Sequence, residues 1–109
     1  METQLRQQML EVSRELVRLG LNRGTSGNVG ARCGEHFLVT PSGVPADEMT
    51  PDSMVEMDFS GKGLSTGKPS SEWRFHLDIL KMHEHIRPKA SVLNIGKSLL
   101  RLPFNLIQN

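Results

Sequence analysis

The sequence has a single cysteine, Cys33, so no disulfide can form within the chain, which fits a reducing compartment. It has no apolar run of 18 residues, and the opening "METQLRQQ" lacks the pattern of a signal peptide. These absences lead to the expectation of a soluble cytoplasmic protein. The formal net charge is only +1, too small to argue for a nucleic-acid or membrane-surface partner. No internal repeat or low-complexity tract is present. Acidic residues are missing altogether after Glu84. Residues 1–80 carry 8 Lys/Arg and 11 Asp/Glu, whereas residues 81–109 carry 5 Lys/Arg and Glu84 alone. Globular surfaces usually mix both signs, so the character of the chain changes near residue 84. What remains is globular in composition: 109 residues, 37% hydrophobic and 23% charged, enough for one domain with one core. A chain of this size buries roughly two-thirds of its unfolded surface, so it can fold alone with little margin.

Leu5, Met9, Val12, Leu16 and Leu19 recur at spacings of four, three, four and three, which predicts an amphipathic helix over residues 3–19. Glu11/Arg14 and Glu15/Arg18 are spaced to pair along its outer face, and Gly20 sits where a glycine would end it. "NVGAR" and "HFLVT" read as short strands joined by a turn around Cys33 to Glu35. Thr50 followed by Pro51 predicts a one-turn helix. "MVEMDFSG" alternates Val55, Met57 and Phe59 with Glu56, Asp58 and Ser60, the period of a half-buried strand. A second helix is expected from Ser70 to about His85, with Pro69 in its first turn. Beyond Pro88 the pattern suggests a strand and then a short helix ended before Pro103.

Three stretches hold residues that suit anion binding. In "GTSGN", Gly24 to Asn28, small residues with free backbone N–H groups can form a concave nest, to which Thr25, Ser26 and Asn28 add side-chain donors. "TPSG", Thr40 to Gly43, puts a hydroxyl and a glycine amide at a strand end. "GKPSSEWRFH", Gly67 to His76, joins two serines and helix-start amides to a carboxylate, Glu72, that can move a proton. Each stretch taken singly also reads as a plain turn or helix start. His83 and His85 form an H-x-H pair, but two ligands do not complete a zinc site, and on a helix they would point about 200° apart. A solvated helix end is the competing reading. His36 and His76 are isolated in sequence; His76 shares a helix face with Glu72, as a neighbour of that site or, in the competing reading, as a packed or capping histidine.

The ordered combination of G-T-S-G-N, T-P-S-G and K-P-S-S-E-W-R-F-H resembles the N-terminal half of the class II aldolase/adducin-like family, over about residues 5–82. The resemblance implies an α/β fold, a three-layer α/β/α arrangement around a mainly antiparallel sheet, of which this chain would hold an incomplete, N-terminal part. It implies that Gly27, Asn28, Ser42, Gly43, Ser70 and Ser71 cradle a substrate phosphate. It implies that Glu72 is the catalytic acid/base and approaches a zinc ion. The implied reaction is zinc-dependent retro-aldol cleavage of a phosphorylated sugar to dihydroxyacetone phosphate and an aldehyde, with the metal as Lewis acid. Family members are often tetramers. The alternative within the same family is a non-catalytic binding module like the adducin heads, or an inactive fragment.

The family's pattern has a buried strand ending in H-x-H, which supplies two zinc ligands, and a third histidine much later. Here "RPKA" at 87–90 resembles the lead-in to that strand, but "SVLNIGKSLLRLPFNLIQN" follows without a histidine. His83 and His85 lie only 11 and 13 residues after Glu72, before that lead-in. The expectation is therefore two parts: residues 1–86 as the N-terminal part of the domain, and 87–109 as a divergent tail, frameshifted or truncated, with the zinc not held by this chain alone. Reading the coding DNA past codon 86 in the other two frames tests this. One frame is expected to encode an H-x-H-bearing continuation, and two frames without one contradict a frameshift.

Overall fold

A computed structural model of the protein describes residues 2–20, 28–82, 90–93 and 99–102, those after residue 81 by their backbone alone. The first helix, α1 (Glu2–Arg18), forms on the predicted stripe and buries Met9, Leu10, Val12, Ser13 and Leu16. Leu19 falls outside the helix and is 55% exposed. Glu15 and Arg18 pair as expected. Arg14 does not turn to Glu11. It donates to the carbonyls of Ala46 (3.3 Å) and Met49 (3.1 Å), which the following loop brings against the helix. Part-buried carbonyls need donors more than a solvated carboxylate does, so the long guanidinium goes to them.

Strands β1 (Asn28–Cys33), β2 (His36–Val39), β3 (Val55–Asp58), β4 (Ala90–Leu93) and β5 (Leu99–Leu102) form one sheet in the order β3-β2-β1-β4-β5. Every neighbouring pair is antiparallel. The β1–β2 hairpin closes on the pair Cys33↔His36, and Gly34 has φ 62°, the left-handed conformation that tight hairpin turns require at their first central position. Between β2 and β3 the chain makes two 3-10 turns, Ala46–Glu48 and Pro51–Ser53. The second has Thr50 at its N-cap position and the first-position proline as expected, with the Thr50 N–H donating to Ser53 Oγ (3.0 Å) and the Ser53 N–H to the Thr50 carbonyl (2.9 Å).

The second helix, α2 (Trp73–Met82), begins three residues later than predicted. Pro69 is not in its first turn but bridges to Pro41. The chain from Leu99 to Leu102 is a strand, not the expected short helix. Four residues cannot repay helix nucleation, and the residue before Pro103 is biased to extended backbone. Pairing with β4 then satisfies its N–H and C=O groups.

Alternation along the strands sorts the core into two layers. Val29, Ala31 and Leu38 pack with α1, Ala46, Met49 and Met54. Phe37, Val39, Val55 and Met57 pack with Leu80 and the half-buried Trp73 and Leu77 of α2. A helix therefore covers each face of an antiparallel sheet, the three-layer arrangement that the family resemblance implied. Arg32 joins β1 to the far end of α2: its guanidinium donates to the Leu80 carbonyl and lies 4.6 Å from the Phe59 ring centroid. A cation at a helix's last carbonyls is favoured by the helix dipole.

Helix α2 packs tightly against the sheet at Gly30. A Cβ there would lie 2.8 Å from Cβ, Cγ and Nδ1 of His76, which is fully buried. Replacement with Gly30→Ala should therefore cost about 1–3 kcal/mol in chemical denaturation through overpacking. Gly63→Ala, with nothing within 4 Å of the added carbon, should change stability little. Equal effects of the two substitutions would contradict the close contact.

Candidate functional site

Two loops meet at one end of β1. Thr40 follows β2 directly, and its hydroxyl accepts the Val29 N–H (3.2 Å) while its own N–H donates to the Val29 carbonyl (3.0 Å). The Thr40 carbonyl then accepts the Ser70 N–H (2.9 Å), and Ser42 N–H donates to the Lys68 carbonyl (2.9 Å). With the Pro41–Pro69 bridge these bonds lash residues 40–42 to residues 68–70. The stretch that holds Ser42 and Gly43 thereby runs antiparallel alongside the one that holds Ser70 and Ser71, with Thr40 opposite Ser70 and Ser42 opposite Lys68. Gly43 has φ 72°, a backbone turn that side chains other than hydrogen rarely adopt.

The start of α2 is built around Ser70. Its hydroxyl accepts the Glu72 N–H (3.2 Å), and its carbonyl accepts the Trp73 N–H (3.0 Å). Ser70 is buried, Ser71 exposed and Glu72 half-buried, so the carboxylate stands at the rim of the loop pair. The bond to Glu72 N–H uses a lone pair of the Ser70 hydroxyl and not its proton.

Asn28 opens β1 on the α2 face and is 6% exposed. Its Oδ1 is hydrogen-bonded to Nε2 of His76. That tie turns the amide oxygen to the ring, so the NH2 end is the end directed elsewhere, as a donor. Burial holds His76 far below its ordinary value, from 6.5 to about 4, so the ring is neutral at physiological pH. Of the two readings of His76, a neighbour of the site beside Glu72 or a packed histidine, its full burial against Gly30 bears out the second, and its ring supports Asn28.

Of the sequence-predicted site residues, Asn28, Ser42, Gly43, Ser70, Ser71 and Glu72 stand on the start of β1 and the two lashed loops. Gly27 lies outside the described residues, as do Thr25, Ser26, His83 and His85. Thr40 was visible as part of "TPSG", but its role in fastening both loops to β1 was not. The arrangement offers hydroxyl, amide and backbone N–H donors beside one carboxylate. It can hold an anion and move a proton nearby.

A second group was missed by sequence reasoning. On the opposite face of the sheet Glu2, Cys33 and His36 place one side-chain ligand atom each within 4.8 Å of one another. The short Cys-x-x-His spacing across the hairpin was its one available signal. Among the described residues no helix is long and apolar enough to cross a membrane.

Comparison with known proteins agrees with this fold. Residues 7–90 match the family described as Class II Aldolase and Adducin N-terminal domain. The chain is 46% identical over 76 residues to the 5-methylthioribulose-1-phosphate/5-deoxyribulose-1-phosphate aldolase of Rhodospirillum rubrum, a match that covers 70% of this chain and 34% of that protein. It is 39% identical over 111 residues to the L-fuculose phosphate aldolase of Haemophilus influenzae, covering 95% and 50%. The structure of L-fuculose-1-phosphate aldolase from Thermus thermophilus superimposes with a TM-score of 0.67 at 27% identity, over 86% of this chain and 48% of that one. The chain thus spans between a third and a half of the length of these relatives.

The buried neutral ring makes stability pH-dependent. Above pH 6.5 His76 is uncharged in both the folded and unfolded states. As the pH falls from 6.5 toward 4, the unfolded chain takes up a proton that the folded one refuses, so stability drops. The full loss from this group is on the order of 3 kcal/mol. Urea melts of the protein and of His76→Gln across that range should show a shallower decline in the variant. Parallel declines would contradict the assignment.

Proposed function

This chain belongs to the class II aldolase and adducin N-terminal domain family, and from that membership we propose that it forms the phosphate-binding and proton-transfer part of a phosphorylated-sugar aldolase. Asn28, Ser42, Gly43, Ser70 and Ser71, with Gly27, bind the substrate phosphate. The observation that carries this reading is the lashing of residues 40–42 to residues 68–70, which gathers donors from distant stretches into one place. The relatives named above are aldolases acting on sugar phosphates, which favours catalysis over a pure binding module.

In this reading the phosphate accepts from the Asn28 amide, the serine hydroxyls and loop N–H groups, and so fixes one end of the sugar. Glu72, at the adjoining helix start, gives or takes the proton at the carbon whose bond is cleaved. His76 takes no part in proton transfer. It orients Asn28, and the Gly30 gap seats it.

Zinc is the metal that the family resemblance implies. Among the described residues the histidines are His36 and His76. His76 is bound to Asn28 and packed against Gly30, and His36 lies on the α1 face among Glu2 and Glu56. Neither fits as a ligand beside Glu72. We assign residues 1–86 to the aldolase-like part and 87–109 to a tail of different character. By itself the chain is expected to bind phosphate and to have little or no aldolase activity.

Isothermal titration with dihydroxyacetone phosphate checks the cradle. Binding is expected to weaken about tenfold or more in Asn28→Ala and Ser70→Ala, since each removes a hydrogen bond to a charged group. Glu72→Gln should bind about as well as the original protein. Equal affinity in all four proteins, or no saturable binding in any, would count against the proposal.

A further inference from the structure

The second group of ligating side chains lies away from the proposed phosphate cradle, at the other end of β1 and on the other face of the sheet. Cys33 and His36 are directly paired across the β1–β2 hairpin, so their side chains leave the sheet on the same face. Glu56 leaves β3 on that face, and Glu2 descends onto it from the first turn of α1. Nε2 of His36 lies 3.6 Å from Oε1 of Glu2 and 3.6 Å from Oε2 of Glu56. Sγ of Cys33 lies 3.9 Å from the same Glu2 oxygen. Nε2 of His36 is itself buried and has no hydrogen-bond partner, although the residue as a whole is open to solvent on one side.

We propose that Glu2, Cys33, His36 and Glu56 form a binding site for a borderline-soft divalent cation of the zinc class. Three features carry this. The donor set is one thiolate, one imidazole and two carboxylates, four ligands of the kinds zinc takes. The spacing fits: tetrahedral zinc with bonds of about 2.0–2.3 Å sets its ligand atoms roughly 3.3–3.6 Å apart. Among Glu2, Cys33 and His36 the separations of 3.6 and 3.9 Å need a few tenths of an ångström of closure, whereas Glu56, 3.6 Å from His36 but outside the group of three that lie within 4.8 Å of one another, has to swing further in to complete the set.

The third feature is how Arg6 is used. Its Nε donates to Oε2 of Glu2 (2.9 Å) and its Nη2 faces Oε1 of Glu56 (3.5 Å). Each carboxylate thus spends one oxygen on the guanidinium and turns the other toward His36. Arg6 is fixed behind them by bonds to the Pro51 and Met54 carbonyls (3.1 and 3.2 Å), so it positions the carboxylates without entering the centre. Two carboxylates and one guanidinium leave one negative charge facing a thiol and an imidazole. A divalent cation that displaces the thiol proton to solvent leaves the group neutral. The competing account is an ion-pair network alone, in which a protonated His36 supplies that charge. In it Cys33 stays a thiol that donates to Glu2, and it predicts no metal affinity.

This inference does not depend on the proposed function. The test strips the purified protein with a chelator and titrates Zn2+ against a chromophoric competitor, in parallel with Cys33→Ser, His36→Ala and Glu72→Gln. One equivalent is expected for the original protein and for Glu72→Gln, with binding lost in Cys33→Ser and His36→Ala. Loading with Co2+ should give thiolate-to-cobalt charge-transfer absorption in the near ultraviolet, which needs no variant to be read. No stoichiometric zinc, zinc retained by both ligand variants, or bound cobalt without the thiolate band would each overturn the proposal. Loss of zinc in Glu72→Gln alone would also overturn it, by moving the metal to the other face.

Discussion

The contact between His76 and Asn28 across Gly30 is the constraint on which the candidate site depends. It sets how near α2 can come to the sheet, because no side chain larger than hydrogen fits at Gly30. It holds a neutral imidazole in a position closed to water. It also fixes the rotation of the Asn28 amide. One buried hydrogen bond thus couples the placement of a helix to the aim of a donor. Buried polar groups stay buried only when their partners are present, so each side chain of the pair holds the other in register.

The loops add a second layer of order. Thr40 is the fastening point, with its hydroxyl and N–H bound to β1 and its carbonyl bound to Ser70. Since Ser70 in turn caps the approach to α2, the sheet, both loops and the helix start share one chain of bonds. The side-chain donors of Ser42 and Ser70 stand on backbone that is itself tied by these bonds rather than on free loop ends. An anion held there would meet groups already in place, with little ordering cost on binding.

Much of this was legible in the sequence because the signals were local. The α1 stripe, the alternation of Val55, Met57 and Phe59, and the Thr50–Pro51 start each express a period or a cap. The ordered motifs placed the site residues together through resemblance. What escaped were consequences of tertiary contact. Arg14 left its helix partner for carbonyls 32 and 35 residues away. Residues 99–102 became a strand because an open edge of β4 was available, which no local propensity records. Pro69 looked like a first-turn proline and instead sits in the bridge that joins the loops. His76 showed its spacing from Glu72, but its burial against a glycine on another element could not be read from either residue. The cluster around His36 draws on four elements, and only Cys33 and His36 are neighbours in the chain.

The central claim is that distant stretches converge into one anion cradle at the start of β1. Amide chemical-shift mapping on the isotope-labelled protein, titrated with inorganic phosphate, tests it most directly. The account predicts saturable shifts concentrated at Asn28, Ser42, Gly43, Ser70 and Ser71, moving together with a single affinity. Shifts confined to other surfaces, or separate affinities for the two loops, would contradict it.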